Sequence, residues 1–446
     1  MKATLKTTMR RLVRADPDDR WAAAFGHIAV YSFLVALVTG ILLLPIFQPS
    51  MSPVVYHGSY RTLDGLTMSR AYQSVLNISF DVRGGLLIRQ VHHWSADVFV
   101  GAVCLRLICV FFRGRFRLPD WLIWVGLLLA GMLAGLSGDI LPDDLLSGGS
   151  LSVLTGVILS VPVAGTHIAT LIFGGPVPGH VIIPRTYWVH IVVLPVVLGA
   201  LLLLSYRRGR PRAVRVRRAD PLLPFTCAAL VLLGAVAQIN PVWLFGPYQP
   251  DSISAGSVPD WYMGFLDGAL RIMPAWELSV AGHPLALSVL IPALLVPGAF
   301  FTLLAAYPLL DRRLTGDQGL HHVPDRPRGA ATRTAVGAAG ITFYGLLWAA
   351  AANDQIADHL PMDVYAVTWF FRIAVLAGPP LAYTITQRIC LGLTARERDE
   401  ADHGRPTGRI VMSPDGGFTA ITEPVRPARE EGPGPNLPMA RDMADT

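Results

Sequence analysis

Apolar residues gather into eight long runs, which are separated by shorter polar and basic connections. Each run is close to or above the roughly 20 residues that a helix needs to cross the hydrocarbon core of a bilayer. The pattern therefore predicts eight transmembrane helices, over residues 25–46, 87–112, 121–138, 187–206, 222–240, 283–309, 334–353 and 364–393. The third run is short, and Pro379 and Pro380 are expected to interrupt the last one.

The composition agrees with an all-α integral membrane protein. Hydrophobic residues make up 52% of the chain and charged residues only 15%, whereas soluble domains carry about 25% charge. Much of the surface must therefore face lipid. Four cysteines lie in apolar runs without paired spacing, which argues against disulfides or a zinc site. We find no internal repeat, and no basic patch with interleaved aromatic residues that would indicate a nucleic-acid partner.

Arginine placement predicts the orientation. The amino terminus and the second, fourth and sixth connections are basic, so both termini are expected in the cytoplasm of a cell-membrane protein. No small-residue cleavage site follows the basic start, which indicates a retained first helix. The tail, rich in Pro, Gly and charge, is expected to be partly disordered. The predicted divisions are a cytoplasmic segment, a four-helix bundle, a region of four further helices and a cytoplasmic tail: 1–24, 25–218, 219–394 and 395–446.

The intramembrane histidines are the candidate chemical groups. His92 lies near the start of the second span and His190 near the start of the fourth, and both spans enter from the outer side. Parallel helices with histidines at one depth can hold a heme between two imidazoles. The alternative is two unrelated polar residues packed in a bundle. His27, His93 and His167 are the other histidines within or beside a span.

Two arginines and three glycines bear on that choice. Arg89 and Arg185 lie on the outer side of the two histidines, where guanidinium groups could pair with heme propionates. For either arginine taken singly, ordinary interfacial snorkelling is the better explanation. Gly26 and Gly40 share a face of the first span, and Gly138 lies level with Gly40 on the third. A flat macrocycle needs such gaps, but close helix packing also favours glycine.

Several segments resemble the cytochrome b subunit of the actinobacterial menaquinol–cytochrome c reductase, of which this chain looks like a divergent paralogue. The similarity runs in order from about residue 20 to about residue 430. VPDWY resembles the quinol-oxidation signature, with Asp where many members have Glu. The similar segments are IRQVHHW (88–94), LPDDLLSG (141–148), GT (165–166), PRTYWVH (184–190), INPVWLFGPYQP (239–250), VPDWY (258–262), AYPLLDRR (306–313) and ANDQIA (352–357).

The resemblance implies a quinol–cytochrome c oxidoreductase subunit with b-type heme. Quinol, here menaquinol, would be oxidised near the outer face, and electrons would pass to a Rieske-type iron–sulfur subunit and through heme. A cytochrome c subunit, a homodimer within the complex and surrounding lipid would be the partners. By position, His92 and His190 match the ligands of the outer, low-potential heme, and Arg89 and Arg185 match its propionate partners.

The resemblance also assigns the quinol-oxidation pocket. Asp260 matches the carboxylate that takes a proton from quinol, and Tyr262 would line the pocket. Asp267 matches a second acidic position and, on a helix, would face the same pocket. Proton acceptance implies a raised carboxyl pKa, as expected in a poorly solvated pocket.

The chain departs from the family at the inner heme. Members carry a second histidine fourteen residues further along (fourteen or fifteen on the fourth helix), about 21 Å deeper on nearly the same face. Here those positions hold Arg106 on the second span and Leu204 or Ser205 on the fourth, and Trp124 stands where a glycine is expected. Counting from His93 instead does not restore a histidine. The sequence therefore predicts that the inner heme is lost.

Arg106 is expected to extend toward the cytoplasmic cluster at Arg113 or to pair with another, unidentified group. Asp97, nine residues away, is expected to point to the opposite face. The connection after the fourth span shows no convincing residues for an inner quinone site. Three hypotheses remain: a reductase subunit with two hemes, a single-heme paralogue with another electron route, and a non-catalytic assembly or quinone-binding protein.

Overall fold

The computed structural model describes residues 17–208, 220–249, 260–280, 283–316 and 325–424, and these residues are mostly helical. In chain order the helices are α1 (Pro17–Leu43), α2 (Arg70–Phe80), α3 (Gly85–Phe112), α4 (Leu118–Ile140), α5 (Leu145–Leu159), α6 (Gly165–Phe173), α7 (Ile182–Arg208), α8 (Leu222–Val236), α9 (Val242–Phe245), α10 (Gly264–Ile272), α11 (Leu287–Thr315), α12 (Ala331–Ala350), α13 (Asn353–His359) and α14 (Val364–His403).

Among the described residues, three short antiparallel strand pairs accompany the helices of this mainly α-helical chain. They pair β1 (Pro53–Val55) with β2 (Thr67–Ser69), β3 (Glu277–Val280) with β4 (His283–Ala286), and β5 (Arg405–Met412) with β6 (Phe418–Glu423). Each lies in a connection or beyond the last long helix, where the backbone lacks the local hydrogen bonds of a helix. Pairing two short strands supplies those bonds.

The amino-terminal half places four long apolar helices side by side. Helix α1 packs along α3, α3 along α4, and α4 along α7. The main core includes Phe99 and Val103 of α3 and Leu127 of α4. Large apolar side chains elsewhere on these helices are exposed, for example Val38 and Leu133. An apolar surface on both core and outer faces is typical of helices surrounded by lipid.

The described residues contain six helices that are long and apolar enough to cross a membrane. Helices α12 and α13, bent by 64° at their junction, make a seventh if they count as one broken span. The chain is thus a multi-pass membrane protein. The remaining predicted span, 222–240, corresponds to α8, which has 15 residues. The count of eight and the proposed domain divisions therefore stay predictions.

The predicted interruption of the last span at Pro379 and Pro380 was wrong. Helix α14 continues through Pro379 and Pro380 to His403. Because proline has no amide N–H, the carbonyls of Val375 and Leu376 lose their helical donors, a loss that membrane helices tolerate when neighbouring groups or local adjustments compensate for it. The tail is ordered through the β5–β6 hairpin as far as residue 424. The basic start at 1–16, most of the fourth connection (209–219) and the last part of the tail (425–446) lie outside the described residues.

Glycine allows α10 to lie directly against α12. A Cβ atom at Gly268 would overlap the backbone carbonyl oxygen of Leu347. We expect Gly268→Ala to destabilise the protein by about 1–3 kcal/mol, because a backbone atom cannot rotate away from the added methyl group. Thermal unfolding in detergent would measure this.

The matched control is Gly298→Ala on α11, where an added Cβ meets no atom within 4 Å. Equal melting temperatures for the two variants would contradict the packing argument.

Candidate functional site

A cavity of about 430 Å³ lies inside the bundle of α1, α3, α4 and α7. Seven of the predicted site residues line it, together with His93, which sequence reasoning did not assign a role. The seven are Gly40, Arg89, His92, Gly138, His190, Asp260 and Tyr262. The structure therefore brings most of the predicted site together, although those residues are far apart along the chain.

His92 and His190 face one another across this cavity. Their ring centroids are 6.0 Å apart, with an angle of 70° between the ring planes. A metal ion between two imidazoles sits about 2 Å from each nitrogen, which places ring centres roughly 6 Å apart. The separation therefore suits a metal shared by the two rings.

Hydrogen bonds orient both imidazoles in the same way. Nδ1 of His92 donates to the Ala36 carbonyl of α1 at 3.0 Å, with the Thr39 hydroxyl 3.1 Å away. Nδ1 of His190 donates to the Ala134 carbonyl of α4 at 3.1 Å. A carbonyl can only accept, so each ring keeps its lone pair on Nε2, the arrangement typical of a metal-binding histidine.

The same local pattern occurs twice, although the sequence showed no repeat. Ser137 lies 3.0 Å from Nδ1 of His190 and takes the place that Thr39 has beside His92. The offset from Thr39 to Ser137 along the chain equals the offset from His92 to His190. That equal spacing is the sequence signal that could have revealed the paired arrangement.

Gly40 and Gly138 make room for the imidazole rings themselves. A Cβ at Gly40 would lie 3.1 Å from Cε1 of His92, and one at Gly138 would lie 2.8 Å from Cε1 of His190. Close packing between a helix and a ring therefore explains both glycines without requiring a macrocycle.

The two predicted propionate partners differ in position. Arg89 reaches the cavity, donates to the Asn240 carbonyl at 3.1 Å, and has a buried Nε without a partner among the described residues. Arg185 instead donates to the carbonyls of Leu171 and Ile172 at 2.9 and 3.2 Å. The end of α6 offers these unpaired carbonyls, so the structure does not bring Arg185 to the cavity.

Three features of this site fit a heme with two histidine ligands. They are the paired imidazoles, the space between them and the buried Nε of Arg89, which has no partner among the described residues and could pair with a heme carboxylate. His92 and His190 would hold its iron, and Arg89 would lie toward its carboxylates.

Asp260 lines the cavity and belongs to a short hydrogen-bonded network. One carboxylate oxygen lies 3.0 Å from Nε2 of His93, and the other accepts a hydrogen bond from the Tyr262 hydroxyl at 2.6 Å. Burial alone raises the pKa of Asp260, but these hydrogen bonds and the nearby imidazole lower it, and the net direction is down. The expected raised pKa of this carboxyl was therefore wrong.

Asp267 does not face the cavity, contrary to expectation. It pairs with Arg271 at 2.8 Å on the same helix, and Arg271 also pairs with Asp354 of α13 at 2.8 Å. Burial raises the pKa of Asp267 despite the lowering effect of Arg271. Its position favours a role in joining α10 to α13.

Arg106 lies fourteen residues after His92 on α3. Its guanidinium stacks on the Trp124 ring of α4 at 4.1 Å, and Nη1 donates to the Ala22 carbonyl of α1. A Cβ at Gly26 would lie 2.8 Å from the same Nη1. Arg106 therefore contacts both α1 and α4. Its extension to the Arg113 cluster stays a prediction.

A polar cluster that no sequence pattern predicted lies beside Arg106. Nδ1 of His27 lies 3.2 Å from the Asp220 carboxylate, which also accepts a hydrogen bond from Tyr31 at 2.8 Å. Asp220 closes the arginine-rich fourth connection. Its chain distance from α1 explains why no local pattern indicated the contact.

The fold and site thus define a multi-pass membrane protein with a histidine pair inside a helical bundle. A family model described as cytochrome b (N-terminal)/b6/petB matches residues 97–247. The chain is 43% identical to the cytochrome bc1 complex cytochrome b subunit of Streptomyces coelicolor, covering 94% of this chain and 81% of that relative.

Two further relatives carry the same description. Identity is 39% for the Corynebacterium diphtheriae protein, over 98% of this chain and 85% of the relative. For the Mycobacterium tuberculosis protein it is 41%, over 95% and 81%. The chain therefore belongs to the family of cytochrome b subunits of the cytochrome bc1 complex.

A solved structure titled "Hyperthermophilic respiratory Complex III" shares the fold. Its TM-score is 0.56 at 18% identity, and the alignment covers 82% of this chain and 92% of that one.

The Tyr262 hydroxyl is expected to help hold Asp260 ionised. Tyr262→Phe removes the 2.6 Å hydrogen bond, so the pKa of Asp260 should rise. Infrared absorption of the protonated carboxyl, followed against pH, would measure the shift. Tyr248→Phe is the control, since that hydroxyl lies 3.1 Å from Ser152. An unchanged midpoint in Tyr262→Phe would refute the assignment.

Proposed function

We propose that this protein oxidises quinol at the outer end of its bundle cavity, as a cytochrome b subunit of a quinol–cytochrome c reductase. The facing imidazoles of His92 and His190 carry the proposal, because their separation and Nδ1 hydrogen bonds suit two ligands of one b-type heme. When bound, this heme would accept and release one electron at a time.

Asp260 is the proposed proton acceptor for quinol. Its low pKa keeps the carboxylate ionised, and hydrogen bonds from two sides hold it at the edge of the apolar cavity. A quinol hydroxyl would replace Tyr262 as one donor to this carboxylate. The proton would then move to Asp260 across that hydrogen bond as electrons leave the ring.

A single heme is the second part of the proposal. The guanidinium of Arg106 lies between Gly26 and Trp124, at the depth where an inner heme would need open space. Arginine stays protonated and does not ligate iron. On α7 a π-helical turn at residues 189–193 adds one residue to the helix. The position that faces the bundle interior below His190 is therefore expected at Ser205, because Leu204 is 46% exposed.

Because Arg106 and Trp124 fill the space of an inner heme, we expect a paralogue that passes electrons by another route. Without a second heme, electron transfer over roughly the 21 Å that fourteen helical residues span would be slow. A Rieske-type iron–sulfur subunit, a cytochrome c subunit and a second copy of this chain are the proposed partners, and menaquinol is the proposed substrate. Eight spans with both termini in the cytoplasm fit the arginine distribution.

The heme content distinguishes the hypotheses. We expect one b-type heme per purified chain, and its loss in both His92→Ala and His190→Ala, because each variant removes one iron ligand. Pyridine hemochrome spectra against protein concentration would measure this. His167→Ala, at an exposed position on α6, is the control. Two hemes would contradict the loss of the inner site, and none would favour a non-catalytic role.

The carboxylate is tested separately from the heme. Asp260→Asn should retain the heme spectrum but slow quinol oxidation by at least about 100-fold, since the amide cannot take the proton. The assay is quinol-dependent reduction of cytochrome c in the isolated complex. Asp120→Asn, a surface position paired with Arg208, is the control. Wild-type turnover in Asp260→Asn would rule out this carboxylate as acceptor.

A further inference from the structure

Each imidazole of the histidine pair has a hydroxyl neighbour besides its main-chain acceptor. The Thr39 hydroxyl of α1 lies 3.1 Å from Nδ1 of His92, and the Ser137 hydroxyl of α4 lies 3.0 Å from Nδ1 of His190. Both hydroxyl residues are buried. Neither of them has a role in the proposed quinol oxidation, and both come from helices that carry no ligand histidine.

The hydroxyl proton of Thr39 is used within its own helix. Oγ1 donates to the Val35 carbonyl at 2.7 Å and lies 3.1 Å from the Ala36 carbonyl, about one turn earlier on α1. A hydroxyl has a single proton, and a threonine inside a helix commonly donates it in this way. Oγ1 therefore presents a lone pair to His92 and accepts a hydrogen bond from Nδ1.

Ser137 has the same arrangement on α4. Its Oγ donates to the Ala134 carbonyl at 2.9 Å, and Nδ1 of His190 donates to the same carbonyl. Because a carbonyl only accepts, the Nδ1 proton of His190 lies between two acceptors, the Ala134 oxygen and the Ser137 oxygen. Each imidazole of the pair thus shares its Nδ1 proton between a main-chain oxygen and a hydroxyl oxygen.

Acceptors at Nδ1 change how strongly the other ring nitrogen donates to a metal. A hydrogen bond at Nδ1 raises the basicity of the imidazole, which makes Nε2 a stronger ligand. A stronger ligand stabilises ferric iron more than ferrous iron, because the ferric ion has the higher charge, and the midpoint potential falls.

We propose that Thr39 and Ser137 are positioning residues that lower the midpoint potential of the bound heme through His92 and His190. The inference rests on the proposed function, since it needs a heme between these two rings. It goes further in giving the two hydroxyls a direction of effect. Two ligands of one iron are affected in the same sense, so the two contributions should add.

The test is a redox titration of the heme in the purified full-length protein, followed by its absorbance. We expect Thr39→Val and Ser137→Ala each to raise the midpoint potential, because one acceptor at Nδ1 is lost. A change of at least about threefold in the ferric-to-ferrous ratio at fixed potential is expected, or roughly 28 mV for one electron. The electron paramagnetic resonance spectrum of the low-spin ferric heme checks that both histidines still bind the iron.

Conservative variants separate the hydrogen bond from packing. Thr39→Ser and Ser137→Thr keep a hydroxyl and should keep the wild-type midpoint potential. The matched control is Ser95→Ala on α3. The buried Ser95 hydroxyl also donates to its own helix, at 2.6 Å from the Val91 carbonyl, but it makes no hydrogen bond to a histidine among the described residues.

Three outcomes with heme bound would overturn the inference. They are unchanged midpoint potentials in both Thr39→Val and Ser137→Ala, an equal rise in Ser95→Ala, and an equal rise in Thr39→Ser and Ser137→Thr. If one of the two test variants does not fold, the variant at the other histidine decides. A wild-type protein without heme would instead overturn the proposed function, and the inference with it, so the two failures are distinguishable.

Discussion

Two hydrogen bonds between neighbouring helices determine how the interior of the bundle is organised. Helix α1 accepts a bond from the ring on α3, and α4 accepts one from the ring on α7. Each bond uses a main-chain carbonyl, so it fixes ring orientation without a side chain that could rotate. With both rings held by Nδ1, each keeps Nε2 available, and both rings line the same cavity between the helices.

The same helices build two different interiors along the bundle. Around the histidine pair, Gly40 and Gly138 let two imidazoles enter between the backbones. At Arg106, further along α3, Gly26 of α1 makes room for the guanidinium, and Trp124 covers it with an aromatic face. A cation–π contact and a main-chain acceptor lower the cost of a charge inside an apolar bundle. The region around Arg106 is therefore packed by protein, while the region around the histidine pair stays open.

Sequence reasoning succeeded where chemistry depends on regular helical spacing. The depth match of His92 and His190 and the change at Arg106 follow from counting residues along straight helices. It failed where an irregular turn comes first. Residues 261–263 form a 3₁₀ turn before α10, which rotates each residue further than an α-helix does. Counting along a regular helix therefore does not give the direction of Asp267 relative to Asp260, and Asp267 pairs with Arg271 on its own helix.

The order of apolar runs and the positions of histidines, arginines and glycines by themselves indicated a helical membrane protein, its family resemblance and the pairing of His92 with His190. These features depend on interactions within one helix or on its exposure to lipid, which local sequence encodes. Only the tertiary structure decided that Arg185 caps α6, that Asp260 reaches His93, and that Asp220 reaches His27. Those contacts join segments distant along the chain, and helix packing sets which side chains finally meet.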